Sequence, residues 1–331
     1  MKKAVTFGEI MMRLSPPGRK RFVQATEFDA VYGGSEANVA VTLCNLGLQA
    51  DFVTALPDNA LGNAAENFVR SFGVGTKSIV RKSGRLGLYF LEKGASQRSS
   101  EVIYDRKDSV FSHLKRGEID FEKAFDGADW FHFSGITPAL SKTAAEITAQ
   151  AVETAKRLGL TVSCDLNYRS ALWSTCEAAD VLGPLLCKTD VLIANENHLK
   201  MLFGIGEDKK LTCGAAAEAA AEKFGLKQSV MTVRRTLSAD DNLFSALIFE
   251  NGRLARSKRY QMHIVDRVGG GDSFAAGLIF ADINNYLLQD TVEFAAAAGC
   301  LKHSIEGDVG IFSAKEVKSL ACGFSDGRVQ R

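Results

Sequence analysis

The 331-residue sequence has no pattern of a disulfide framework, a metal cage, a membrane span or a nucleic-acid-binding face. Its seven cysteines (Cys44, Cys164, Cys176, Cys187, Cys213, Cys300, Cys322) are odd in number, scattered and never spaced C-x-x-C, so free and mostly buried thiols are expected. Lys and Arg number 40 against 39 for Asp and Glu, a formal charge of +1 with no basic run. That balance excludes a nucleic-acid partner and favours small ones. The longest apolar stretches, such as Ala4 to Phe7 before Glu9, fall far short of the ~18 residues of a bilayer span. Lys2 and Lys3 precede an apolar segment broken by Glu9 and Arg13, with no small-residue cleavage pattern. No signal peptide is read there, and a cytoplasmic protein is expected. Prolines number only five, and no Pro/Ser-rich linker or repeat of roughly 20 to 50 residues divides the chain. One domain over 1–331 follows. The hydrophobic share of 46% and charged share of 24% exclude disorder as the main state.

What the sequence does contain is alternation. Short β-branched or aromatic runs predict strands at Val5–Met11, Asp51–Ala55, Asp129–Phe133, Leu160–Asp165, Asp190–Ala194 and Ser229–Val233. Between most of them lie segments of helical period. From Ser141 to Leu158, Ala144, Ile147, Ala151, Val152 and Ala155 form one face, and Gly159 ends the helix; Cys213–Phe224 repeats the pattern before Gly225. Strands alternating with helices imply a doubly wound α/β fold, a mainly parallel sheet with helices on both faces and ligands outside the carboxyl ends of its strands. Two stretches break the rhythm, about 11–34 and 85–108. They predict a small β-sheet lid, in which Tyr89 faces a ligand opposite the side carrying Leu88 and Phe90.

Two motifs carry chemistry. In Asp266-Arg267-Val268-Gly269-Gly270-Gly271-Asp272, three glycines leave backbone N–H groups unshielded at the start of an apolar helix, a cradle for an anion. Asp272 in the first turn stands beside that anion as a candidate base toward an attacking hydroxyl. The second motif, Gly33-Gly34-Ser35-Glu36-Ala37-Asn38, lets backbone approach a ligand and offers the donor and acceptor of Asn38. Neither G-x-x-x-x-G-K-[ST] nor G-x-G-x-x-G occurs, so P-loop and dinucleotide sites are not supported.

In this order, with Gly47 and Gly62 between them, the two motifs resemble the paired signatures of the ribokinase (PfkB) family of carbohydrate kinases. Gly8-Glu9-Ile10-Met11, Thr54 to Asn59, Asp165 to Arg169 and Asp266-Arg267-Val268 are similar to members acting on the ketodeoxy sugar acid 2-dehydro-3-deoxygluconate. The resemblance implies a ribokinase-like fold and transfer of phosphate from ATP, with Mg²⁺, to the terminal hydroxyl of a sugar acid. Fructose or 2-dehydro-3-deoxygalactonate as the acceptor, or a non-catalytic sensor of the same fold, stay open. Lid strands in this family often pair across subunits, and the edge of a small hairpin sheet favours pairing. A homo-oligomer through the lid is compatible with this.

Carried over residue by residue, the resemblance makes Asp272 the catalytic base and Gly269, Gly270 and Gly271 the anion hole. It puts Gly34, Asn38, Tyr89, Tyr104, Arg106, Arg169 and Asp308 against the substrate, with Arg106 and Arg169 suited to a carboxylate. It puts Asn167, Thr232, Arg234, Val268 and Lys302 near the nucleotide. The family's Asn-x-x-Glu motif reads Asn195-Glu196-Asn197-His198 here. His198 is expected as a surface residue at a helix start, and no metal ligand is assigned.

Overall fold

The computed structural model describes residues 2–206 and 212–324. The described residues build fourteen strands: β1 (Lys3–Phe7), β2 (Met11–Ser15), β3 (Asp29–Gly33), β4 (Gln49–Pro57), β5 (Ile79–Lys82), β6 (Leu88–Glu92), β7 (Glu101–Asp105), β8 (Trp130–Ser134), β9 (Thr161–Asp165), β10 (Val191–Ala194), β11 (Gln228–Thr236), β12 (Asp241–Glu250), β13 (Arg253–Arg256) and β14 (Tyr260–His263). Ten form the main sheet, in the order β13-β12-β11-β10-β9-β8-β1-β4-β5, with β14 also paired to β12. From β11 to β5 every pairing is parallel; β12, β13 and β14 add an antiparallel edge.

Two apolar layers cover the sheet. Trp130-Phe131-His132-Phe133-Ser134 of β8 is buried at every position, because helices lie on both sides of a central parallel strand. The helix Lys142–Arg157 shows how the sequence sets such a layer. Ser141 caps it by accepting from Ala144 N–H, its buried stripe is the one read from the sequence, and Lys156 and Arg157 suit its carboxyl end. Gly159, at φ 78°, turns the chain into β9. Among the described residues no helix is long and apolar enough to cross a membrane.

The lid is a separate four-stranded sheet, β3-β2-β6-β7. Two antiparallel hairpins, β2–β3 and β6–β7, are joined by parallel pairing of β2 with β6. Tyr89 and Leu91 face inward with Met11, packing on Val268 beside the glycine cradle. Phe22 and Phe28 meet Phe90 edge-on at the opposite face. The outer strand β7 is exposed along its whole length.

Several expectations are corrected. Val5–Met11 is two strands, because the chain leaves the main sheet at Gly8 and enters the lid at Met11. The strands β5 and β12–β14 were not predicted; β12 alternates only over its first half and is continuously buried at Ala246–Ile248. Finally, the cysteines are free, but only Cys164 is buried, whereas Cys176, Cys187 and Cys322 are exposed. They sit on helix or loop surfaces that no core contact fills.

Candidate active site

The parallel strands end under the lid at a cavity of about 710 Å³. One wall is the start of the helix Gly270–Ile283. Gly269 caps that helix at φ 80°, a left-handed conformation, and a Cβ there would collide with the carbonyl oxygen of Asp308. The first hydrogen bond of the helix runs from Ser273 N–H to Gly269 O at 2.9 Å, so the N–H groups of Gly270, Gly271 and Asp272 have no partner within it. A Cβ on Gly271 would meet nothing within 4 Å, so this stretch of backbone is open. The glycines therefore form an open helix start, the backbone geometry an anion cradle needs.

Asp272 is held from the other motif. Ser35 Oγ donates to its Oδ1 at 2.8 Å and Asn38 Nδ2 to its Oδ2 at 2.7 Å. Asn38 Oδ1 in turn accepts from Gly34 N–H at 3.3 Å. Gly34 leaves no room for a side chain because the Glu9 backbone lies against it. Burial pushes the Asp272 carboxyl above the ordinary range, opposed by these two hydrogen bonds and by the charges of Arg169 and Lys302. Asp165, at the end of β9, is pushed up to about 7 by burial and then by the Asp272 charge. Its Oδ1 accepts from Asn167 N–H at 3.1 Å, with Asn167 at φ 30°.

Beneath the lid runs a buried ion network. Arg13, on β2, donates to Asp308 at 2.7 Å and to Asp266 at 2.8 and 3.3 Å. Tyr89 donates a short hydrogen bond to Asp308. Asp266 also accepts from Val268 N–H at 3.3 Å and Gly307 N–H at 3.2 Å. One guanidinium between two carboxylates keeps Asp266 below its ordinary value despite its burial. Asp308 is pushed up to about 6 by burial, against the pull of Arg13 and Tyr89. The network joins lid, cradle and the loop carrying Asp308.

Of the candidate residues, Gly34, Asn38, Tyr89, Tyr104, Arg106, Asn167, Arg169, Thr232, Arg234, Val268, Gly269, Gly270, Gly271, Asp272 and Asp308 all line this one cavity. Lys302 does not. It is fully buried behind the cradle, donating to Ile305 O at 2.9 Å, and burial lowers its ammonium to about 8 despite Asp266 and Asp308 nearby. Arg106 lines the cavity already paired with buried Glu9, which also takes a short hydrogen bond from Ser109. Arg169 makes only a 3.4 Å contact to Tyr168 O and forms no ion pair among the described residues. Arg234, Arg267 and Arg169 line the cavity with the glycines, and burial followed by these like charges depresses Arg234 below its ordinary value. His198 stands in the first turn of a helix, as expected, but it is half-buried and lines the cavity edge-on to Tyr168, and burial holds it at about 4 and therefore neutral.

Sequence reasoning missed Asp165 and Arg267, which line the cavity, and Arg13, which is buried behind it in the ion network. Arg267 stood inside the quoted motif, and Asp165 at a predicted strand end was a signal of position. Arg13 had none, since an arginine alternating on a lid strand reads as solvated until the loops of Asp266 and Asp308 close around it.

The donor set suits a polyphosphate beside the glycines and a hydroxyl beside Asp272. Among the described residues no group of three or more His, Cys, Asp or Glu is arranged to hold a metal ion.

The description "pfkB family carbohydrate kinase" matches residues 1–310. A 2-dehydro-3-deoxygalactonokinase of Haloferax volcanii is 33% identical over 319 residues, 96% of each chain. The crystal structure of a 2-dehydro-3-deoxygluconokinase of Thermotoga maritima is 50% identical, with a TM-score of 0.95 over 97% of this chain and 98% of that one. A PfkB family carbohydrate kinase of Listeria grayi is 35% identical, with a TM-score of 0.93 over 97% of this chain and all (100%) of the other. The ribokinase-like fold, the two motifs and these matches along nearly the whole length have one meaning: the chain belongs to the PfkB family of carbohydrate kinases.

Proposed function

We propose that the chain transfers the γ-phosphoryl group of ATP to the terminal hydroxyl of 2-dehydro-3-deoxy-D-gluconate, giving the 6-phosphate and ADP. The observation that carries this reading is the carboxylate of Asp272, fixed by Ser35 and Asn38 at the open N-terminus of a glycine-cradled helix. Asp272 takes the hydroxyl proton as the oxygen attacks the γ-phosphorus. The new O–P bond forms while the bond to the β,γ-bridging oxygen breaks, and ADP leaves. The N–H groups at Gly270 and Gly271 meet the charge on the transferring group, in place before the reaction begins. Arg234 and Arg267 serve the polyphosphate, with Thr232 and Asn167 beside it. The lid excludes water, the competing acceptor.

The unpaired guanidinium of Arg169 supports an acid as acceptor. Arg106, neutralised by Glu9, orients rather than supplies net charge, and Tyr89 and Tyr104 frame the sugar from the lid. Mg²⁺ fits as an ion carried by the nucleotide phosphates and water, since the described residues hold no cluster of acidic or His/Cys ligands and His198 stands where the family has an acidic residue. It would neutralise phosphate charge. Dependence on ATP supports a cytoplasmic place for the activity. The exposed Val102, Ile103 and Tyr104 of β7 support pairing of two lids in a homo-oligomer, which light scattering tests.

The similarity to a 2-dehydro-3-deoxygalactonokinase keeps that epimer as a second acceptor. ADP formation from Mg-ATP with 2-dehydro-3-deoxygluconate, its galactonate epimer, gluconate and fructose separates the readings. Selective turnover of the ketodeoxy acids is expected. Turnover of fructose alone would discard the role given to Arg169, and binding without turnover would make the chain a sensor.

A further inference from the structure

Both hairpins of the lid reach one turn of the main domain. Leu237-Ser238-Ala239-Asp240 joins β11 to β12, and the lid takes both oxygens of the Asp240 carboxylate. Arg19 Nη1 stands 2.7 Å from Oδ1, and Ser96 N–H donates to Oδ2 at 2.7 Å. Ala239 N–H donates in return to Ser96 O at 2.7 Å. Arg19 lies in the connection of β2 to β3 and Ser96 in that of β6 to β7. Because β2 and β6 are parallel, both connections leave the same end of the lid, so a single turn can hold the two tips.

The contact is held in an unfavourable backbone conformation. Ala95 and Arg98 exchange both backbone hydrogen bonds, each 2.9 Å, around the two-residue turn Ser96-Gln97. Ser96 stands there at φ 53°, a left-handed position that favours glycine. Such residues persist where surrounding contacts over-determine them, and the N–H and C=O of Ser96 are both spent on the 237–240 turn. That turn is fixed from the cavity side as well. Asp240 O accepts from Ile264 N–H at 2.6 Å, and Arg267, which lines the cavity, donates to Ala239 O at 2.9 Å. The Asp240 side chain is only 16% exposed, so its charge is screened less than that of a free surface pair.

Arg13 and Tyr89 already anchor the middle of β2 and β6 to Asp266 and Asp308. A sheet gripped there alone can pivot, whereas a second grip at the hairpin tips sets its tilt. Tyr89, Val102, Tyr104 and Arg106 are the lid residues whose place in the cavity that tilt decides. We propose that Asp240 is a positioning residue, a latch that holds the tips of both lid hairpins and thereby seats the lid over the acceptor. Its effect on turnover rests on the transfer proposed above; the latch itself does not.

Hydrogen exchange of the full chain, read by mass spectrometry, tests the latch in the parent, Asp240→Ala and Arg19→Ala. The reporters are peptides spanning 93–100 and 237–241, the second carrying Ala239 N–H, whose bond to Ser96 O neither substitution touches directly. Both should exchange about tenfold faster in Asp240→Ala, with β8 unchanged. Arg19→Ala should act in the same direction to a smaller extent, and it provides the reading if Asp240→Ala does not fold. With the acceptor that the sugar panel identifies, Asp240→Ala should raise KM for the acceptor about fivefold or more and leave KM for ATP within about twofold. An acceptor that binds only under a seated lid loses apparent affinity in proportion to the seated fraction. Unchanged exchange at the reporters, or acceleration spread equally over β8, would overturn the latch. Faster exchange with equal changes in the two KM values would overturn the positioning role. A chain that turns over no acceptor would overturn the proposed transfer instead, and the exchange result alone would decide the latch.

Discussion

Asn38 Nδ2 donates to Asp272 Oδ2 at 2.7 Å across 234 positions of sequence, so the two glycine motifs meet at a single carboxylate. The same amide accepts from Gly34 N–H through its oxygen, which fixes its orientation. A shift of either motif would be felt by the proposed base.

That relationship predicts a graded pair of variants. Asp272→Asn should lower kcat by roughly 10²- to 10⁴-fold with binding of ATP largely retained. Asn38→Ala removes a hydrogen bond that favours the ionised carboxylate, so the Asp272 pKa rises and the acid limb of the kcat profile moves to higher pH. An unmoved limb in a folded Asn38→Ala enzyme would remove Asp272 as the titrating base.

Arg169 acts on the same group by charge. Its positive field lowers the Asp272 pKa, so Arg169→Ala should also shift the acid limb upward. In addition it should raise KM for the ketodeoxy acid far more than KM for ATP. Equal increases in the two KM values would count against recognition of the substrate carboxylate.

Arg13→Met tests the network under the lid. With the guanidinium gone, Asp266 and Asp308 keep only the weaker compensation of Lys93 at 3.7 Å and of buried Lys302, and breaking such a buried pair costs ~3–5 kcal/mol. Urea unfolding should show that loss at pH 7.5. A smaller loss is expected at pH 5, where Asp308, pushed up to about 6, is protonated. Equal losses at both pH values would contradict the charge account.

His303 gives a pH prediction of opposite sign. Burial holds its imidazole at about 4, with Nδ1 on Gly299 O at 2.7 Å. A histidine depressed in the folded state stabilises fully above its unfolded pKa of ~6.5 and loses that contribution as pH falls toward 4. His303→Asn keeps a donor near Nδ1 but cannot titrate. The stability of the parent relative to this variant should therefore fall by up to ~1.4 kcal/mol per pH unit between about 6.5 and 4. Unfolding curves at pH 7.5 and 5 check it, and a constant difference would mean the histidine is not buried neutral.

Much of the architecture was legible because it is local. The stripe of Lys142–Arg157, the stop at Gly159 and the helix Cys213–Phe224 follow from periodicity and capping over a few turns. The antiparallel edge β12–β14 was not, since its partners are set by sheet pairing and β12 is continuously buried where it joins the core. In the site, glycines and Asp272 announce themselves by spacing, whereas Arg13 and Asp165 owe their character to neighbours far along the chain.

The sequence alone therefore determined the family, through the order of its two glycine motifs, and the alternation of strands and helices, and it marked the glycines and Asp272 as candidates by their spacing. Only the tertiary structure decided which charges meet. It paired Arg106 with Glu9, gave Arg169 no ion pair among the described residues, withdrew Lys302 behind the glycines and brought His198 to the cavity wall. The physical reason is that a side chain's charge state and freedom depend on burial and on partners within a few ångströms, and the fold supplies those partners from separate segments of the chain.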